Sequence, residues 1–282
     1  MRRMISRPLI TALYVPGDRP ERFAKAVATG AHLVIVDLED AVAPDRKTFA
    51  RDAVAAWLGS RRNGLTGDGD GALVEVRVNA GDRGDLDAVA ALDPIVGVRV
   101  PKVESPGDLD HVVAAVGRER RLTALIESAA GIDAVTAIAA HPAVAAVALG
   151  EADLASELGT TADEVFDWLR ARVLVAALAA GRPAPMMSVY PSIPDLDGLR
   201  RSTVRGRRLG FVGRAAVHPT QVPVIAAAFA PSAVDVEWAR AVLTATNTGG
   251  VARLASGEMV DPAMRGRAER IHALAAATRP IT

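Results

Sequence analysis

The sequence predicts a TIM (β/α)8 barrel followed by a C-terminal helical extension. Three observations predict it. Strand-like and helix-like patterns alternate almost without interruption, and the strands number eight, the count at which a parallel sheet closes. The strands are runs of Val, Ile and Leu without polar alternation, as in strands buried on both faces. Several end abruptly in charge, at Val36-Asp37-Leu38-Glu39-Asp40, Val76-Arg77-Val78-Asn79, Leu125-Ile126-Glu127-Ser128 and Leu149-Gly150-Glu151-Ala152-Asp153. Barrel strands supply active-site groups from their carboxyl ends, so these stretches mark one mouth. The alternative is a doubly wound sheet with a helical appendix, which the count of eight disfavours.

The first strand covers residues 9–15, and the turn Pro16-Gly17-Asp18-Arg19-Pro20 leads into a helix over 21–29. The second strand is 33–38; Pro44 and Asp45 then open a helix to Leu58, with proline in its usual place at a helix start. Residues 64–71, rich in Gly and Asp, read as a solvent loop. The third strand is 73–78 with a short helix over 85–92, and the fourth is 96–101 with a helix over 106–116. The fifth strand, 122–126, precedes a helix over 132–140. The sixth, 144–149, precedes the longest helix of the barrel, 163–180. The seventh, 184–190, carries a helix over 197–209, and the eighth, 214–217, one over 220–229. The barrel is therefore residues 8–230. Residues 231–282 add a helix over 235–246, the hinge Asn247-Thr248-Gly249-Gly250, and an amphipathic helix ending near Ala277. A complete barrel leaves this tail to pack elsewhere, and a hinge before a helix suits exchange between subunits.

Composition narrows the function classes. Half of the 282 residues are apolar, and Lys plus Arg balances Asp plus Glu at 33 each. Such a chain has no global field to attract nucleic acid or an anionic membrane. Arg200, Arg201, Arg205, Arg207 and Arg208 are spaced as the charged face of a helix. There is no cysteine, which removes disulfides, thiolate metal sites and cysteine nucleophiles. No stretch has the length of a membrane span and the N-terminus lacks a signal-peptide core, so a cytoplasmic protein is expected.

Glu127 and Asp153 close the neighbouring fifth and sixth strands. Two carboxylates at a mouth, without Cys or a nearby His, suit Mg²⁺, which takes one or two carboxylates and keeps water and substrate oxygens. The competing reading is a pair of helix caps worth about 0.5–2 kcal/mol each, although Ser128 is a better cap than Glu127. Arg77 offers a planar fork for a substrate carboxylate, or for a barrel carboxylate; the two coexist readily. Asp37, Glu39 and Asp40 cannot all face one point if strand alternation holds, so some of them support Arg77, Lys102 or metal-bound water. Lys102 reads as a partner of these acids. Arg19 and Lys25 flank a glycine turn at a helix start and can take phosphates, a weak signal alone. His218 ends the eighth strand with an acid–base or a structural role.

These residues carry a family resemblance. Tyr14-Val15-Pro16-Gly17-Asp18-Arg19-Pro20-Glu21-Arg22-Phe23, the acidic stretch Val36 to Val42, Val76 to Asn79, Pro101-Lys102-Val103-Glu104, Leu125 to Gly131, Gly150 to Leu154 and Val217-His218-Pro219-Thr220-Gln221 are collinear with motifs of the citrate lyase β-subunit family. That group includes malyl-CoA and citramalyl-CoA lyases, within the HpcH/HpaI aldolases. The resemblance implies a Mg²⁺-dependent (Mn²⁺ as a substitute) Claisen-type cleavage of a β-hydroxyacyl-CoA thioester such as citramalyl-CoA or malyl-CoA. It implies Glu127 and Asp153 as metal ligands, Arg77 on the small acid, and Tyr14, Arg19 and Lys25 on the CoA portion. Asp261 matches an aspartate that a neighbouring subunit inserts as acid–base group, which implies a homotrimer or hexamer.

One departure stands out. Where the family has Asp-x-x-x-x-Asp after the seventh strand, this chain has Met187 and Ser192, and the loss of two acids beside the mouth is expected to alter the acid fragment accepted. The alternatives are a citrate lyase β-subunit acting on a thioester of an acyl-carrier protein, a CoA-binding homologue with altered catalysis, and a metal aldolase of free hydroxy-keto acids.

Overall fold

Eight parallel strands order the chain around one axis. The computed structural model describes residues 8–59, 71–247, 251–254 and 257–278. Most of the expected 64–71 loop, three residues of the 247–250 hinge, and Ala255 and Ser256 lie outside the described residues. The strands are β1 (Thr11–Pro16), β2 (Leu33–Asp37), β3 (Leu73–Arg77), β4 (Gly97–Val100), β5 (Leu122–Ile126), β6 (Val144–Leu149), β7 (Met186–Met187) and β8 (Gly213–Ala216). Their order in the sheet is β6-β5-β4-β3-β2-β1-β8-β7, so the barrel is nearly closed, with its seam between β6 and β7. A side chain bridges that seam: the Ser188 hydroxyl donates to the Leu149 carbonyl and accepts the Glu151 N–H at 3.3 Å.

β7 has two residues where seven were expected. Pro183, Pro185 and Pro191 surround it, and proline has no N–H to extend a ladder. The helices α1 (Pro20–Ala28), α2 (Lys47–Gly59), α3 (Arg83–Ala90), α4 (Pro106–Val116), α5 (Ala129–Ala140), α6 (Glu151–Leu158), α7 (Asp163–Ala179), α8 (Leu196–Leu209) and α9 (Gln221–Phe229) surround the sheet. α6 was not expected, being a single short segment between Gly150 and Gly159. The Arg cluster lies on α8, and Arg205 ties that helix to Asp163 and Asp167 of α7 at 3.0 and 2.6 Å.

Alternation along the strands sorts the side chains. Outward Val34, Val36, Val74 and Val76 join Phe23, Val54 and the other helix residues in the main core. Inward Ala12, Leu33, Ile35, Leu73 and Ala215 form a small apolar plug inside the barrel. Above it the interior turns polar, because Glu75, Arg99 and Thr123 face inward on β3, β4 and β5 and are buried.

The extension comprises α10 (Ala233–Ala245), an antiparallel pair β9 (Ala252–Arg253) and β10 (Met259–Val260), and α11 (Pro262–Ala277). Ala239, Val242, Val260 and Ala268 give it a small core of its own. The far end of α11 returns to its own barrel, where His32 Nε2 donates to the Ala277 carbonyl at 3.2 Å.

Candidate active site

A cavity of ≈ 500 Å³ opens at the carboxyl ends of the strands, and Tyr14, Asp40, Arg77, Arg99, Glu127, Glu151 and Asp153 line it. Arg77 is held by three acids. Its Nε and Nη2 donate to the two oxygens of Asp37 at 2.7 and 2.6 Å, and Nη1 donates to Asp40 at 3.1 Å. Glu39 Oε2 lies 2.9 Å from the same Nη1. All three acids therefore converge, contrary to the expectation from alternation. The strand ends at Asp37 and the chain bends through 38–41, so the two-residue period no longer applies. Asp37 holds this bend by accepting the N–H groups of Glu39 and Ala41. Of five guanidinium N–H donors, two remain for a ligand beyond these three bonds.

Lys102 lies 3.7 Å from Glu39, within the acid group as expected. Glu39 Oε2 is buried, and its contact with Arg77 is an ion pair without a hydrogen bond. Burial raises the Glu39 carboxyl above its ordinary range against the pull of Arg77.

Glu127 is buried at the end of β5, and Ser128 caps α5 by accepting the Gly131 N–H at 3.1 Å. Capping is thus done by the serine, and the glutamate is left for the cavity. Its Oε1 accepts the Lys102 N–H at 2.8 Å. Burial pushes this carboxyl up to about 7, with further upward pressure from the charges of Glu39 and Asp153. Asp153 is exposed in the first turn of α6, where the helix N-terminus favours a negative charge. Gly150 stands between them: a Cβ there would lie 2.6 Å from Glu127 Oε2. Nearby, Arg170 clamps Glu151 with bonds of 2.8 and 2.6 Å, fixing the start of α6.

Glu127 and Asp153 fit a hard divalent cation. Burial, with the charges of Glu39 and Asp153 added to it, holds the Glu127 carboxyl up, and a cation beside it would offset both. Among the described residues no group of three or more His, Cys, Asp or Glu forms a closed cage. Two carboxylates plus water and ligand oxygens are what Mg²⁺ takes.

Other expected residues separate. Tyr14 sits in the cavity, its ring 5.2 Å from the Arg77 guanidinium carbon and 5.9 Å from that of Arg99. Arg19 and Lys25 are exposed outside the cavity, and Arg46, which sequence reasoning passed over, joins Arg19 at Asp18. His218 bonds Thr220 at 2.8 Å and does not border the cavity. Asp261 caps α11 by accepting the Ala263 N–H and is not in its own chain's cavity. Met187 lies beside the mouth as expected. It borders the cavity, while its sulfur points onto Gly206 of α8 and lies 3.9 Å from Arg214 Nη1. Met186 takes the inward position, as alternation requires. Ser192 is exposed and also outside the cavity. Met187 therefore bears on the β7–α8 packing as well as on the cavity wall. Arg214 is buried beside Met187 with its Nε unbonded, and burial lowers it to about 10.

Residues 11–219 match the HpcH/HpaI aldolase/citrate lyase family, and residues 165–277 match a C–C bond lyase family of the TIM-barrel fold. A citrate lyase subunit beta-like protein of Mycobacterium tuberculosis is 34% identical over 91% of this chain and 92% of its own. An L-malyl-CoA/beta-methylmalyl-CoA lyase of Cereibacter sphaeroides is 32% identical over 94% of each chain, and a (3S)-malyl-CoA thioesterase of the same species is 34% identical over 85% and 84%. Among solved structures, the M. tuberculosis protein CitE in complex with magnesium, acetoacetate and coenzyme A superposes with a TM-score of 0.79 at 32% identity, covering 97% of this chain and 100% of that one.

Proposed function

Because the chain belongs to the HpcH/HpaI aldolase/citrate lyase family, a family of carbon–carbon lyases, we propose that it cleaves a β-hydroxyacyl-CoA thioester, reversibly and with Mg²⁺. Citramalyl-CoA and malyl-CoA are the candidate substrates; an acyl-CoA such as acetyl-CoA and a small keto acid are the products. The observation that carries this reading is the placing of Glu127, Asp153 and Arg77 on one cavity. The relatives support it: CitE was solved with magnesium, acetoacetate and coenzyme A.

Glu127 and Asp153 would hold the metal, which supplies Lewis acidity to the hydroxyl or keto oxygen. Arg77 binds the acid's carboxylate through its two remaining donors and is kept charged and aimed by Asp37, Glu39 and Asp40. In cleavage, the bond between the hydroxyl-bearing carbon and the acyl α-carbon breaks. The hydroxyl oxygen becomes the keto oxygen as its proton passes to water, and the α-carbon takes a proton. Asp261 of a neighbouring subunit is assigned that proton transfer, which makes the active unit a homo-oligomer with residues 231–282 covering the next mouth. Arg19 and Lys25, with Arg46 beside them, take the CoA phosphates outside the cavity, and Tyr14 on β1 links that rim to the interior. The protein acts in the cytoplasm.

The test is incubation of the protein and Mg²⁺ with CoA thioesters and, separately, with acyl-carrier-protein thioesters. The reading predicts acyl-CoA and a keto acid from the former. Free CoA and an intact hydroxy acid would indicate a thioesterase. Turnover confined to the carrier thioester would favour the citrate lyase β-subunit, and binding of CoA esters without turnover an altered homologue.

A further inference from the structure

Inward positions of a small barrel are ordinarily filled by branched apolar side chains. Here the level below the mouth carries a charged unit instead. Arg77, Arg99 and Thr123 lie in register across β3, β4 and β5. Arg99 is buried and gives Nε and Nη2 to Glu75 Oε2 at 3.2 and 3.0 Å, and Thr123 donates to Glu75 Oε1 at 2.8 Å. Gly97 makes room for this pair: a Cβ there would lie 2.8 Å from Glu75 Cγ. A purely structural ion pair would close both edges of the guanidinium. Arg99 instead keeps Nη1 free of any hydrogen bond to the described residues, and it borders the cavity together with Tyr14.

From this geometry we propose that Arg99 and Tyr14 form a second anion subsite on the cavity floor, which selects an acid fragment carrying a second carboxylate. This rests on the lyase reading above and narrows it: the keto acids that malyl-CoA and citramalyl-CoA release carry one carboxylate, so the subsite points past those two candidates to a thioester whose acid fragment, held by Arg77 at its other end, is dicarboxylic. The two guanidiniums reach in from register partners on adjacent strands, and both lie over the Tyr14 ring. Glu75 fixes the orientation of Arg99 without covering its inner edge. A carboxylate is acceptor-only, so it matches a free guanidinium N–H and a phenol O–H. Burial raises the Tyr14 hydroxyl, which therefore remains a donor at neutral pH. A methyl group in the same place would leave both donors dry and unpaired.

The test is calorimetric binding of oxaloacetate and of 2-oxobutanoate, which differ by carboxylate against methyl, to the Mg²⁺-loaded protein. The expected preference for oxaloacetate is roughly tenfold or more, the scale of one charge-assisted hydrogen bond. It should collapse toward equality in Arg99→Met combined with Glu75→Gln, which avoids leaving a buried lone carboxylate. Tyr14→Phe, which keeps the ring, should reduce it by a few-fold. Equal binding by the unmodified protein overturns the subsite alone, as does a preference that survives in a double variant melting like the parent. Binding of neither acid overturns the lyase reading and the subsite with it.

Discussion

Glu127 Oε1 accepts the backbone N–H of Lys102 at 2.8 Å, and Lys102 is the one non-glycine among the described residues with a positive φ, 52°. The left-handed backbone aims that N–H at a buried carboxylate. Lys102→Pro removes the donor and forbids the angle, so it should cost roughly 2–3 kcal/mol of stability. Lys102→Gly keeps both and should leave the melting temperature near that of the parent. Thermal melts of the two variants check this directly.

Gly150 bears on the same carboxylate from the other side. Gly150→Ala places a methyl 2.6 Å from Glu127 Oε2, and the glutamate must move. We expect Mg²⁺ affinity to fall by about 10–100-fold, as for lost ligand support, with a stability loss of about 1–3 kcal/mol. Titration calorimetry against a native circular dichroism spectrum separates misplacement of the ligand from misfolding.

The raised Glu127 carboxyl predicts a pH dependence of the metal-free protein. Its folded value, about 7, lies above that of an exposed glutamate, so the native state holds the proton across this window and the unfolded chain does not. The stabilisation is full below about pH 4.5 and is lost as the pH rises through 7, a change of roughly 1–3 kcal/mol. Glu127→Gln should flatten this part of the curve. Denaturant midpoints at pH 5, 6, 7 and 8 in the presence of chelator measure it.

Most of the scaffold was legible in the sequence because buried parallel strands write themselves as Val and Ile runs. The seam was not: β7 shrank to Met186 and Met187 because prolines flank it, and a side chain, Ser188, took over the closure. Charged strand ends were legible as a site because charge at the end of an apolar run is costly unless used. Their mutual arrangement was not, since Asp37, Glu39 and Asp40 meet only through a bend beyond the strand. Glu75 and Arg99 were overlooked because a single polar residue inside a strand resembles surface alternation until register pairs the two.

The extension gives a prediction about assembly. Asp261 is outside its own cavity, so Asp261→Asn and Arg77→Ala should each be inactive alone. Mixed after dissociation and reassembly, they should recover part of the parental rate through hybrid sites carrying both intact groups. No recovery in demonstrably mixed oligomers would argue against a tail that crosses between subunits.

The central claim is that Glu127 and Asp153 support metal-dependent carbon–carbon cleavage at this mouth. The most direct measurement follows keto-acid and acyl-CoA release from a β-hydroxyacyl-CoA thioester with Mg²⁺, in the parent protein and in Glu127→Ala and Asp153→Ala. The account predicts equimolar release by the parent, arrest by chelator, and loss of at least about a hundredfold in each variant. Parental rates in either variant, or release that chelator leaves untouched, would contradict it.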